Sequence, residues 1–168
     1  QALRRYTLSQ HVPVTGDIQT EGNGAQVFWV NDPEGHRIQF LQLPTRGRLV
    51  PVAVKNAVAE PEKPISHHIL HAGFVVQDRA AEDRFFRDVL GFREGWQGGS
   101  REGRLDWIDM QVPDGTDWIE YMMHNPAART APESGVMNHF ALGVPDIHEA
   151  ADLLAQRHWN RSQGQEPQ

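Results

Sequence analysis

The sequence predicts an α+β fold assembled from copies of one strand–helix–three-strand unit, βαβββ. Three observations predict it. First, His71-Ala-Gly-Phe-Val-Val-Gln-Asp78 is matched by His139-Phe-Ala-Leu-Gly-Val-Pro-Asp146. Each copy sets a His seven residues before an Asp, with small or apolar residues between, as an internal repeat should. Second, a helical period follows each Asp. Third, two turns, Asp32-Pro-Glu-Gly35 and Pro113-Asp-Gly115, each release into a short strand, Ile38-Gln39-Phe40 and Ile119-Glu120-Tyr121.

Taken in order, residues 1–43 read as the C-terminal part of a first module: a helix end over 2–10, a strand at 25–30 and a closing strand ending at Gln42. Residues 44–66, with Pro44, Pro51, Pro61 and Pro64 and no helical period, form a linker. Residues 67–125 hold a complete module: strand 71–77, helix 79–90, and strands 92–97, 105–112 and 117–124. Ala81, Phe85 and Val89 recur at helical spacing, and Gly91 stops the helix. Residues 137–168 start a further module, a strand and then a helix carrying Ile147, Ala150 and Leu154. Asp146 is its N-cap, with Glu149 three residues on as the capping-box partner.

Strand parity separates two faces. Ala72, Phe74 and Val76 make a helix-packing stripe, and His71, Gly73 and Val75 face the other way. In the second copy Phe140, Leu142 and Val144 oppose His139, Ala141 and Gly143. On the closing strand Ile119, Tyr121 and Met123 oppose Trp118, Glu120 and Met122. Every polar candidate therefore lies opposite the bulky stripe, and the small residues leave room beside the histidines.

Composition narrows the chemistry. Hydrophobic residues at 39% and charged residues at 23% describe a globular chain rather than a disordered one. No apolar run approaches the roughly 18 residues of a membrane span, so no membrane partner is expected. A net charge of −6 without a basic stretch argues against nucleic acid. The absence of cysteine removes disulfides, thiolate metal sites and a cysteine nucleophile. No Ser-His-Asp pattern or phosphate-binding loop is present, and Gly98-Gly99 reads as a turn. No signal peptide is visible; the compartment stays open, cytoplasmic by default.

His-x-x-x-x-Val-x-Asp followed by a helix, then Phe-Phe-Arg-Asp-Val-Leu-Gly-Phe over 85–92, resembles the opening of a vicinal-oxygen-chelate module. This is the superfamily of glyoxalases, bleomycin-resistance proteins and extradiol dioxygenases. Asp-Pro-Glu-Gly with Ile-Gln-Phe resembles that module's closing strand, and the likeness covers about two thirds of the chain. It implies βαβββ modules pairing into a curved, mostly antiparallel sheet with helices outside. It implies a divalent metal ion (Zn, Fe, Mn or Ni), held by residues from the first and last strands of paired modules. By position these are His71, Glu120 and His139, a nitrogen and oxygen set that suits borderline metals. The implied activity is that of a metal-dependent lyase, isomerase or dioxygenase. Its substrate is a small molecule that chelates the ion through two neighbouring oxygens, with the ion acting as a Lewis acid. Glu120 would double as the catalytic proton shuttle. The order His, Glu, His fits the glyoxalase-like site; a dioxygenase would need His, His, Glu. A homodimer is compatible with all of this. The rival reading is a metal-free ligand-binding protein of the bleomycin-resistance type.

Other residues receive plainer readings. His67 and His68 are linker residues, because their spacing to Asp78 does not match the second copy. Gln39 stands where the family places a ligand, sometimes Gln and usually Glu, and is read as structural here. His124 is a surface residue that shares parity with Glu120. Trp96, Trp107 and Trp118 either line a pocket for an apolar or aromatic substrate or pack the core. The chain opens as if inside an element and ends in polar residues from Arg161 to Gln168, so a fragment is expected, its missing strands holding a fourth ligand, a Glu. The alternative is a permuted module in which the strand and helix at 137–157 join strands of 1–43 and bring Gln39 beside His139.

Overall fold

Helix α1 (Ala2–Ser9) leads into a three-stranded sheet, β1 (Val14–Thr20), β2 (Gln26–Asn31) and β3 (Arg37–Gln42), antiparallel throughout and in that order. The predicted turn joins β2 to β3. The Asp32 carboxylate accepts the backbone N–H groups of Glu34 at 3.1 Å and His36 at 2.7 Å, and Gly35 takes φ +91°. The computed structural model describes residues 1–44, 63–66, 68–123 and 139–159. Most of the expected linker, His67, His124 and the chain from 160 onward lie outside the described residues.

The second sheet has five strands in the order β5-β6-β7-β4-β8. It comprises β4 (His68–Val75), β5 (Arg93–Gly98), β6 (Trp107–Gln111), β7 (Trp118–Met122) and β8 (His139–Gly143). The β4–β7 pairing is parallel and the others antiparallel. Parallel neighbours need a crossover, and here it is the helix after Asp78 followed by β5 and β6. The architecture is α+β, with the stretch 68–122 running strand, helix, strand, strand, strand.

Three details differ from expectation. Strand β4 starts at His68, not His71, because β8 supplies an antiparallel partner that extends it: His68 stands opposite Gly143 and Ile69 opposite Leu142. His68 is thus a strand residue. The helix is α-helical only over α2 (Arg79–Asp83) and continues as a π-helical turn over Arg84–Val89, where the Leu90 N–H reaches the Phe85 carbonyl at 3.1 Å. This widening accompanies burial of both adjacent rings, Phe85 and Phe86. Gly91, at φ +81°, ends the helix as expected. The third difference is in β8. Its outward Phe140 and Leu142 remain half-exposed, because the following helix, α3 (Ile147–Gln156), buries only Ala150.

Both helix caps are as predicted. The Asp78 carboxylate accepts the Ala81 N–H at 3.0 Å, and that of Asp146 accepts those of His148 and Glu149 at 2.8 and 3.1 Å. The Glu149 carboxylate pairs with Lys63 instead of closing a capping box. The permuted module is not formed: among the described residues β3 pairs only with β2, and β8 only with β4. Gln39 stands exposed opposite Trp29, in the other sheet from His139. None of the helices among the described residues is long and apolar enough to cross a membrane.

One core serves both sheets. Val12, Phe28 and Val30 from the first segment join Phe74, Val76, Phe85, Phe86, Ile108, Met110 and Tyr121 in one buried cluster. Partly buried Ala72, Ile119 and Met123 pack against it, so the stripes assigned to the core by parity on β4 and β7 lie there, and that of β8 does not. Phe85 is 4% exposed. Phe85→Ala is therefore expected to cost about 3–5 kcal/mol in urea unfolding. His71→Ala, on the opposite face, is expected to cost less than about 1 kcal/mol. Equal losses in the two variants would contradict this division of faces.

Candidate metal centre

Strand register places the donors. Along one row across the five-stranded sheet stand Trp96, Asp109, Glu120, Gly73 and His139, each paired with the next. In the adjoining row Gln111, Trp118, His71 and Ala141 are paired in the same way. Alternation keeps both rows on the face opposite the core. The smallest residue, Gly73, lies beneath the His139 ring: a Cβ there would stand 2.5 Å from Cε1 and 2.7 Å from Nδ1. Glycine is what lets that ring lie flat against β4.

The three sequence-predicted donors converge. His71 Nε2 lies 2.9 Å from His139 Nε2, His139 Nε2 lies 3.5 Å from Glu120 Oε2, and His71 Nε2 lies 4.0 Å from the same oxygen. A point equidistant from three atoms so spaced is about 2 Å from each, the ordinary distance of a nitrogen or oxygen donor to zinc. The side chains of His71 and Glu120 are mostly buried, at 13% and 15% exposure, and His139 is more open at 40%. His71 packs on the Trp118 indole with ring centroids 5.2 Å apart.

Electrostatics follow from this placement. Burial, then the neighbouring His139, holds the His71 imidazole below its ordinary pKa, so it is a neutral donor. Burial, then the charge of Asp109, pushes Glu120 up to about 7. A carboxylate with that value can gain or lose a proton near neutrality.

Asp109 was not singled out by sequence reasoning. It stands directly across from Glu120 on β6, burial raises its pKa, and its Oδ1 is buried without a hydrogen-bond partner. The signal was available, because Trp107, Asp109 and Gln111 alternate with the core residues Ile108 and Met110. The same alternation decides the tryptophans: Trp107 and Trp118 share the donor face with the half-exposed Trp96, and none of the three belongs to the core cluster. Gln39 is not brought to the donors. His68 lies on β4 with its ring against Gly143, apart from the cluster.

Comparison with known proteins gives the same lineage. The Glyoxalase/Bleomycin resistance protein/Dioxygenase superfamily profile matches residues 65–166. No curated protein sequence matches the chain. Among solved structures, the fold is similar to the Mn(II)-bound glyoxalase from Novosphingobium aromaticivorans. The TM-score is 0.60 at 18% identity, over 93% of this chain and 46% of that one. It is also similar to the 2,3-dioxygenase LapB from Pseudomonas sp. KL28. There the TM-score is 0.61 at 16% identity, over 94% of this chain and 55% of that one. The chain thus spans about half the length of each of these two structures. With more than half of its residues matched by the family profile and the same fold in both relatives, the chain belongs to the glyoxalase, bleomycin-resistance and dioxygenase superfamily.

Proposed function

We propose that the chain is part of a metal-dependent enzyme of the glyoxalase or dioxygenase type, acting on a small substrate that offers two neighbouring oxygens. One observation carries this reading: His71 Nε2, His139 Nε2 and Glu120 Oε2 stand 2.9–4.0 Å apart on the face opposite the core. Those three residues would hold the ion, and two imidazoles with one carboxylate suit Zn, Fe, Mn or Ni. A bound divalent cation supplies Lewis acidity to the substrate oxygens. In this reading residues 1–43, 67–125 and 137–168 are parts of three successive modules. Gln39, which stands in the other sheet, is not a fourth donor to this cluster.

The protein side chains do the rest. Glu120 accepts a proton from the substrate and returns it. Asp109, buried beside it, disfavours a second negative charge and so keeps Glu120 basic. Trp118 and Trp107 give the face an apolar lining that excludes water and suits a substrate with an apolar or aromatic body. The printed descriptions of the two relatives, a Mn(II)-bound glyoxalase and a 2,3-dioxygenase, support the metal and the reaction class without choosing between them.

Three measurements test this reading. Metal analysis of the purified protein should find at least one equivalent of a transition metal, and His71→Ala should lower affinity at this centre by at least about tenfold while the far-ultraviolet circular dichroism is unchanged. A wild-type protein that takes up no metal after reconstitution would favour the metal-free ligand-binding alternative. Binding should also weaken as pH falls. A proton on Glu120 competes with the ion below about pH 7, so affinity should drop up to about tenfold per unit there and level off above. That step should be missing in Glu120→Gln; an affinity flat from about pH 6 to 8 in the wild type would remove Glu120 from the ligand set. Finally, Gly73→Ala pushes a methyl group into the His139 ring. It should weaken metal binding about 10–100-fold, the range for disturbing a ligand's support. Unchanged affinity would show that His139 does not need its present position.

A further inference from the structure

A second group of donors lies away from the first, where the opening segment meets the central module. Asp32 and His36 flank the β2–β3 turn, and Glu82 comes from α2. All three are almost fully buried, at 4%, 3% and 0% exposure. One ligand atom from each lies within 4.8 Å of the others.

The hydrogen bonds of this group are nearly all assigned. Asp32 Oδ2 stands 2.6 Å from His36 Nδ1, and Asp32 Oδ1 accepts the N–H groups of Glu34 and His36. Glu82 Oε1 accepts the Glu34 N–H at 3.1 Å. Glu34 in turn fixes the turn against the module, its Oε1 accepting the N–H groups of Gln77 and Asp78 at 2.7 and 2.5 Å. Two buried atoms have no partner: His36 Nε2 and Glu82 Oε2. A third is the hydroxyl of fully buried Tyr121, whose pKa is driven upward by burial and then by the carboxylates of Asp83, Glu82 and Asp32. Buried polar atoms without a partner are costly unless a further group satisfies them.

A carboxylate on one imidazole nitrogen, leaving the other nitrogen free, is the arrangement that orients histidine ligands in metal sites. Burial lowers the His36 pKa, but the hydrogen bond to Asp32 and then the charges of Asp32, Glu82 and Glu34 raise it above its ordinary value, so a cation at Nε2 would take the place of a proton. The Glu82 carboxyl is pushed up to about 8 by burial and then by the charge of Asp32, with His36 as the opposing charge. We propose that Asp32, His36 and Glu82 form a second divalent-cation site, structural in role, with His36 Nε2 and Glu82 Oε2 as ligands and Asp32 orienting the imidazole. The donor set, one imidazole with one carboxylate, suits a borderline ion such as Zn²⁺ or Mn²⁺. Its place explains its use: the ion clamps the β2–β3 turn of the opening segment onto the first helix of the module. The site shares no residue with the cluster of His71, Glu120 and His139 and does not depend on its function.

The test removes the first cluster and asks whether metal remains. Protein carrying His71→Ala and His139→Ala is stripped with chelator, dialysed against Zn²⁺ and assayed by mass spectrometry of the metal. About one equivalent should stay bound, and its melting temperature should rise with Zn²⁺. Adding Glu82→Gln should abolish both effects. No bound metal in the double variant would overturn the proposal and leave the cluster a water-filled polar pocket. Metal retained after Glu82→Gln would overturn it equally. If the Glu82→Gln protein does not fold, X-ray absorption on the zinc-loaded double variant decides: one imidazole with carboxylate oxygens at about 2.0–2.2 Å is expected, and a shell without imidazole refutes the site.

Discussion

The position of β4 governs the molecule. It pairs in parallel with β7 on one side and antiparallel with β8 on the other. Those two pairings bring together Glu120, His71 and His139, which are far apart in sequence. The same alternation sends Phe74 into the core and leaves Gly73 as the low floor on which the His139 ring rests. A one-residue slip in either pairing would exchange the two faces, burying imidazoles and exposing aromatic rings. The hydrophobic stripe and the donor cluster thus stabilise one another's register.

Electrostatics add a second layer to that geometry. In the first cluster burial alone would raise a carboxylate and lower an imidazole. Both shifts occur, and Asp109 strengthens the one on Glu120. Each side chain is thereby held closer to neutrality than it would be in water. A divalent ion is the partner that reverses both penalties together. The cluster of Asp32, His36 and Glu82 is more deeply buried, and there the carboxylates outweigh burial and raise the His36 imidazole. It lies at the junction of two segments, where side chains must satisfy backbone and charge together.

Much of this was legible in the sequence. The repeated spacing from His to Asp located β4, β8 and both capped helices, because a strand of fixed length followed by an N-cap leaves a local signature. Parity placed His71, Glu120 and His139 on the face opposite the core, and the family resemblance implied them as ligands by position. What could not be read was non-local. Nothing near His68 says that β8 will extend its strand, and nothing near Phe85 and Phe86 says that the helix will widen to bury both. Asp109 was visible as an acid in an alternating strand, but its importance comes from the neighbour across the sheet. Gln39 would stand beside His139 only in the permuted arrangement, and the separation of the two sheets keeps it apart.

Strand β8 has one further consequence, in the order of events. Its pairing with β4 closes a long loop, with a sequence separation of 68 from His71 to His139, and such distant contacts are slow to form. Among the described residues it has a neighbour on one side only, and its outward Phe140 and Leu142 are half in water. Elements of this kind open at a smaller free-energy cost than the core. The histidine it carries would therefore arrive last and leave first. Capture and loss of an ion at this centre would follow the docking and peeling of one short strand, while the remainder of the sheet stays folded.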